Sequence, residues 1–223
     1  MSAFFVTGTG TDVGKTFVTA GLIRFLRGIN VPASAVKPII SGFDPGNAAA
    51  SDSGQLLAAM GEELTDDALR RLSPWQFSAA LSPDMAAALE DREIDFELLL
   101  NVCREAMAAA KDALFIEGVG GIMVPLDDRH TVMDWMAALN LPLILVAGSY
   151  LGAISHTLTA LDCLKRRDLA VDILVVSESA GGTVPLADTI DTLSRFVGDV
   201  PIAAMPRGGD MQDNFAQLWS VIR

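Results

Sequence analysis

Short unbroken apolar runs alternate along the chain with longer stretches in which apolar positions return every three or four residues. The runs Ala3–Val6, Ala33–Pro38, Ala113–Glu117, Leu143–Ala147, Val171–Ser177 and Pro201–Ala204 read as six strands. Helical spacing spans Gly14 to about Arg27, Ser51–Met60, Ser82–Glu90, Phe96–Lys111, Val132–Leu139, Ile154–Arg167, Pro185–Phe196 and Met211–Ile222. The strands are apolar at consecutive positions. A strand wet on one face would alternate, so these are buried on both faces, in a parallel sheet with helices on each side. In open sheets of this kind ligands sit beyond the carboxyl ends of the strands, and every chemically notable motif falls at such an end. The Gly/Ser/Pro-rich stretch Ser41–Ser53 is expected there as a mobile loop.

Directly behind the first strand runs Gly8-Thr9-Gly10-Thr11-Asp12-Val13-Gly14-Lys15-Thr16. Strand, glycine-rich loop and helix start together wrap backbone N–H groups around a polyphosphate. In that arrangement Gly14 lets backbone approach phosphate, Lys15 neutralises β/γ oxygens, and the Thr16 hydroxyl ligates Mg²⁺. The strict pattern places a glycine at position 9, where this chain has Thr9; Gly8 makes the loop one residue longer. The fold class is therefore α/β, a P-loop NTPase-like, mostly parallel sheet with helices on both faces, expected as one domain over residues 1–223.

Other polar residues close apolar strands. Glu117 ends the third, ahead of Gly118-Val119-Gly120-Gly121; a carboxylate there is costly unless it is paired or holds a metal. Lys37 ends the second, pointing toward the crevice that Lys15 serves, and its expected task is to hold an anion or stabilise charge in phosphoryl transfer. Asp52, before a helix, reads by itself as an N-cap. His130 and His156 have no partner spacing and read as structural, and Arg166-Arg167 reads as a solvated helix end.

The formal net charge is −12, which disfavours nucleic acid as a partner, since binding it needs a basic face. Cys103 and Cys163 form no CxxC or Cys/His cluster, so neither zinc nor a disulfide framework is expected. The N-terminus carries no secretory pattern. The stretch Leu139–Gly148 is too short to span a bilayer, so no membrane is expected and the cytoplasm is the default compartment.

Together these residues resemble the ATP-dependent dethiobiotin synthetase family. The resemblance rests on Val6-Thr7-Gly8-Thr9, Thr11-x-Val13-Gly14-Lys15-Thr16, Lys37-Pro38-x-x-Ser41-Gly42, Ser51-Asp52, Glu117-Gly118-x-Gly120-Gly121 and Pro125-Leu126. It continues through Asp134-Trp135, Leu141-Pro142-x-Ile144-Leu145-Val146 and Leu151-Gly152-x-Ile154-x-His156. It implies closure of the ureido ring of dethiobiotin from 7,8-diaminopelargonic acid and CO₂, with ATP and Mg²⁺. The steps implied are carbamate formation, attack of the carbamate on the γ-phosphate, and ring closure with loss of phosphate.

It further implies that Thr16, Asp52 and Glu117 hold Mg²⁺, and that Lys15 and Lys37 stabilise the carbamate and the transferring phosphoryl group. Thr11 and Ser41 would lie near the diamine, with Gly118, Val119 and Gly120 as the floor. Leu151, Gly152, Ala153, Ile154 and Ser155 would meet the substrate carboxylate. Asp12, Val13, Gly14 and Phe17, with Ser177, Glu178, Met205, Pro206 and Arg207, would surround the nucleotide. The site would lie across a homodimer interface.

Two departures stand out. Ser177-Glu178 stands where the family usually has an Asn that reads adenine, and no tyrosine occupies Leu186–Ile190; the single tyrosine is Tyr150. Two other readings remain open. A partition or positioning ATPase switch would carry a second lysine about where Gly10 stands. The ATP domain of an amidoligase would be joined to a glutamine-hydrolysing domain, for which a chain ending at Arg223 leaves no room.

Overall fold

The computed structural model describes residues 2–208 and 211–223. Among the described residues eight strands form: β1 (Ser2–Gly8), β2 (Ala33–Val36), β3 (Ile39–Ser41), β4 (Trp75–Phe77), β5 (Ala113–Glu117), β6 (Leu143–Gly148), β7 (Val171–Ser177) and β8 (Ile202–Met205). The helices among the described residues are α1 (Lys15–Gly28), α2 (Asp52–Met60), α3 (Asp66–Leu72), α4 (Pro83–Leu89), α5 (Phe96–Ala109), α6 (Val132–Leu139), α7 (Ala153–Arg166), α8 (Leu186–Leu193) and α9 (Gln212–Ile222). Six strands make one sheet in the order β2-β5-β1-β6-β7-β8, and every neighbouring pair is parallel. No helix among the described residues is long and apolar enough to cross a membrane.

Period-two alternation of side chains splits the core into two layers. Phe4 and Val6 of β1 face a cluster closed by α1, α2, α3 and α9. Ala3 and Phe5 face the other, closed by α4 to α8. Phe4 stacks on Phe115 with centroids 5.7 Å apart, and Phe5 meets Trp135 edge-on at 4.9 Å. Burying aromatics on both faces of the central strand is why its sequence shows no polar alternation.

Three sequence expectations need correction. Lys37 and Pro38 lie just past β2, because the Lys37 N–H donates to Leu72 O and leaves the ladder. The expected loop Ser41–Ser53 holds a 3₁₀-helix, Pro45–Ala50, capped by Asp44, whose Oδ1 accepts from Gly46 N at 2.8 Å. A second, two-stranded parallel sheet, β3 with β4, and the helix α3 were not foreseen. Three-residue strands fall below the length at which periodicity registers.

Side chains close both rims of the large sheet. At β2 the Ala35 N–H donates to Met60 Sδ at 3.3 Å. At β8 Asn214 Nδ2 donates to Ala204 O at 3.0 Å.

α1 and α9 cross at Gly21, where a Cβ would stand 1.9 Å from Phe215 Cζ. Gly21→Ala should therefore lower stability by about 1–3 kcal/mol in urea unfolding, the overpacking cost outweighing the better helix propensity of alanine. Gly28→Ala, where a Cβ meets nothing within 4 Å, should be neutral or stabilising.

Candidate active site

Strand pairing builds the site. Val36 of β2 lies opposite Ile116 of β5, and Val6 of β1 opposite Glu117, so Lys37, Glu117 and the loop after β1 emerge side by side. Gly14 takes φ +97°, a left-handed turn that seats the loop on the start of α1. Its carbonyl accepts the Val18 N–H, and no side chain caps the helix. The first-turn amides of α1, with the positive end of its dipole, are thus left for an anion.

Glu117 has no solvent exposure and Lys37 only 2%. Lys37 Nζ donates to Glu117 Oε1 at 2.7 Å and to Gly118 O at 3.3 Å, and pairs with Asp52 Oδ2 at 3.1 Å. The Thr16 hydroxyl donates to the same Glu117 Oε1 at 2.6 Å. Burial by itself would push the Lys37 ammonium down, but Glu117 and Asp52 outweigh it and hold Lys37 above its ordinary value. For Asp52, burial raises the carboxyl, and the Lys37 ammonium, with help from Thr16 and Lys15, brings it below the usual range.

Lys15 bends back over its own loop and donates to Gly10 O at 2.7 Å and to Gly120 O at 2.8 Å. It therefore bridges the two glycine-rich segments. Burial, then repulsion from Lys37, lowers its pKa to about 8, against the attraction of Glu117, Asp52 and Asp12. Asp52 is the first residue of α2, and the N-cap is Ser51, whose hydroxyl accepts from Gly54 N at 3.1 Å. The isolated N-cap reading of Asp52 is thus replaced by an ion-paired carboxylate.

Buried side-chain oxygens without partners include Glu117 Oε2 in this cluster, Thr9 Oγ1 on the loop after β1 and Ser41 Oγ at the end of β3. Such atoms cost stability unless a ligand or water takes them up. Ser41 is the last residue of β3, in the small sheet. Glu117 Oε2, with the Thr16 hydroxyl and the Asp52 carboxylate, supplies hard oxygen donors of the kind Mg²⁺ takes. Among the described residues no group of three His, Cys, Asp or Glu side chains converges.

A cavity of about 240 Å³ opens on the far side of the loop. Asp12, Val13, Gly14 and Phe17 form one wall, Ser177 and Glu178 the back, and Met205, Pro206 and Arg207 the opposite lip. Thr11 is exposed on the loop, and Gly118, Val119 and Gly120 leave β5 beneath it. Beyond β6, Gly152 at φ +99° starts α7 without a side-chain cap; the Ala153 N–H is taken by Tyr150 O at 2.9 Å, and the amides of Ile154 and Ser155 follow at the helix end, with Leu151 85% exposed beside it. The Tyr150 hydroxyl lies 2.9 Å from His156 Nδ1. His130 stacks on Phe96 at 4.0 Å and lies 2.8 Å from Asp127 Oδ2, in keeping with a structural role.

Sequence reasoning missed the serines that fix this frame. Ser73 Oγ donates to Lys37 O at 2.6 Å and lies 2.7 Å from Ser53 Oγ, all buried. Ser149 and Ser179 exchange bonds, each hydroxyl accepting the other's N–H, and so tie the ends of β6 and β7 together. Single serines in loops carry no spacing signal; only the three-dimensional return of the chain reveals them.

A family model described as an AAA domain matches residues 2–212. The ATP-dependent dethiobiotin synthetase BioD of Phenylobacterium zucineum is 48% identical over 94% of this chain and 90% of its own length. That of Acidiphilium cryptum is 46% identical over 90% of this chain and 91% of its own. Among solved structures, the MinC:MinD cell division protein complex of Aquifex aeolicus superposes with a TM-score of 0.57, covering 97% of this chain and 86% of that one. At 13% identity this likeness is one of fold alone.

Without bound nucleotide, Lys15 titrates at about 8 when folded and at its ordinary 10.5 when unfolded. Between those values the unfolded chain binds more protons, so unfolding free energy should rise with pH. Between pH 8 and 9.5 Lys15 contributes a rise of about 1.6 kcal/mol, against which the Cys103 thiol, pushed up to about 12 by burial, sets a fall of about 0.8 kcal/mol; urea titrations should show a small net rise, which Lys15→Met should turn into a fall. Lys37, held above its ordinary value, stays protonated throughout that interval and does not contribute.

Proposed function

Because the chain belongs to the ATP-dependent dethiobiotin synthetase family, we propose that the cluster around Lys37 and Glu117 is where it closes the ureido ring of dethiobiotin. The substrates are 7,8-diaminopelargonic acid, CO₂ and ATP. The observation that carries the site assignment is the convergence of Lys37, Asp52, Thr16 and Glu117 within hydrogen-bond reach, beside the phosphate loop.

The chain's residues divide the work by charge. The loop Asp12–Thr16 and the start of α1 receive the triphosphate, with Lys15 turning from Gly10 O and Gly120 O onto the β/γ oxygens. Phe17, Ser177, Glu178, Met205, Pro206 and Arg207 take the base. Bound Mg²⁺, held by Thr16, Asp52 and Glu117, would neutralise the β- and γ-phosphate charge.

One substrate amine, as its carbamate, lies between Thr11, Ser41 and Lys37. Lys37 is protonated and fixed, so it stabilises the carbamate oxygen as that oxygen attacks phosphorus and ADP leaves. The second amine then attacks the carbamoyl carbon, and phosphate departs with the bonding pair of the C–O bond. Orientation and electrostatics are the main work here, which suits a site of fixed charges rather than nucleophilic side chains.

Within Leu151–Ser155, the helix-end amides of Ile154 and Ser155 are suited to the distal carboxylate of the substrate. The exposure of Leu151 beside them supports a homodimer whose partner completes that end of the site. The reading carries a cytoplasmic location, where ATP and bicarbonate are supplied.

Purified protein with diaminopelargonate, bicarbonate, Mg²⁺ and ATP should yield dethiobiotin by mass, and no product would overturn the assignment. Lys37→Ala should lower kcat by roughly 10²–10³ while nucleotide affinity, read by calorimetry, moves far less. Ring closure at the normal rate in that variant would remove Lys37 from its role.

A further inference from the structure

Most polar side chains lining the base cavity are spent on the protein itself. Glu178 Oε2 accepts the Arg207 N–H at 2.6 Å, and Arg207 Nε donates to Glu178 O at 2.9 Å. Ser179 gives its N–H to Ser149 Oγ and its hydroxyl oxygen to Ser149 N–H. These bonds fix the walls; the Asp12 carboxylate and Glu178 Oε1 remain as acceptors that cannot donate.

Ser177 is different. Its hydroxyl has no hydrogen-bond partner among the described residues, and it lines the cavity at the end of β7. It sits flush against the phosphate loop, 2.7 Å from where a Cβ on Gly14 would stand. A hydroxyl rotates to suit its partner, donating to a keto oxygen or accepting from an amino group. A side-chain amide at the same place would present a fixed donor and a fixed acceptor, and so would choose.

We propose that Ser177 makes the base site permissive, so that the chain uses ATP, GTP, CTP and UTP with comparable efficiency. This rests on the reading of the site as that of a nucleoside-triphosphate-dependent ligase. Sites built on fixed hydrogen bonds reject the wrong partner by about 10⁴–10⁵, whereas a group that serves either edge forgoes that discrimination.

The test runs all four triphosphates with diaminopelargonate, bicarbonate and Mg²⁺, measuring kcat/KM from dethiobiotin formed. Each nucleotide also competes against a fluorescent ATP analogue for binding. The four kcat/KM values should fall within about thirtyfold of one another, and a wider preference for ATP overturns the proposal. Ser177→Asn should widen the ATP-to-GTP ratio at least about tenfold, as a fixed amide would. Ser177→Ala, the smaller change, should raise KM for all four together without reordering them. An unmoved ratio in the first variant, or a reordering in the second, takes the role from Ser177. Equal competition by all four with no dethiobiotin from any would leave the base-site inference standing and sink the ligase reading; dethiobiotin from ATP alone would do the reverse.

Discussion

The buried pair of Lys37 and Glu117 is the constraint around which the active end of the molecule is arranged. Two charges removed from water demand partners on all sides, and a lone one would be strongly destabilising. The sheet meets that demand by topology. Placing β5 between β2 and β1 brings the residue after β2, the last residue of β5 and the loop after β1 to one point. Ser73 and Leu72 then hold the Lys37 backbone from the other side, through its carbonyl and its N–H. Glu117 still keeps one oxygen unpaired. That oxygen is a buried acceptor whose desolvation nothing in the protein offsets.

Much of this was legible in the chain because it is written in long or periodic signals. The six strands of the large sheet register as apolar runs, and the loop between β1 and α1 as a glycine pattern next to a lysine and a threonine. Glu117 and Lys37 were visible because a charge at the end of an apolar strand is expensive. What escaped was short or non-local. The strands β3 and β4 are three residues each, and α3 is seven residues in a polar stretch. The 3₁₀-helix Pro45–Ala50 has the composition of a loop. The isolated reading of Asp52 as a cap failed for a local reason, since Ser51 already performs that task. The paired serines depend on segments far apart in sequence, which no window along the chain connects.

The structural likeness to a cell division protein complex is one of fold, and a sheet of this kind decides little by itself. The distinction lies in side chains at the carboxyl edge. The charge of −12 gives no general attraction to nucleic acid. At that edge the chain has Lys37, just past β2 and already neutralised by two carboxylates. A cation so placed is held by the protein before any substrate arrives, and costs no reorganisation when negative charge develops beside it.

The stoppered rims of the sheet have a consequence for how two copies meet. With the Ala35 amide given to a thioether and the Ala204 carbonyl to an asparagine, a foreign strand would have to evict side chains to extend the ladder at these points. Self-association by backbone zippering is thereby disfavoured. Any symmetric pairing is directed instead to helical and loop surfaces, where exposed Leu151 already lies within a few residues of the catalytic edge.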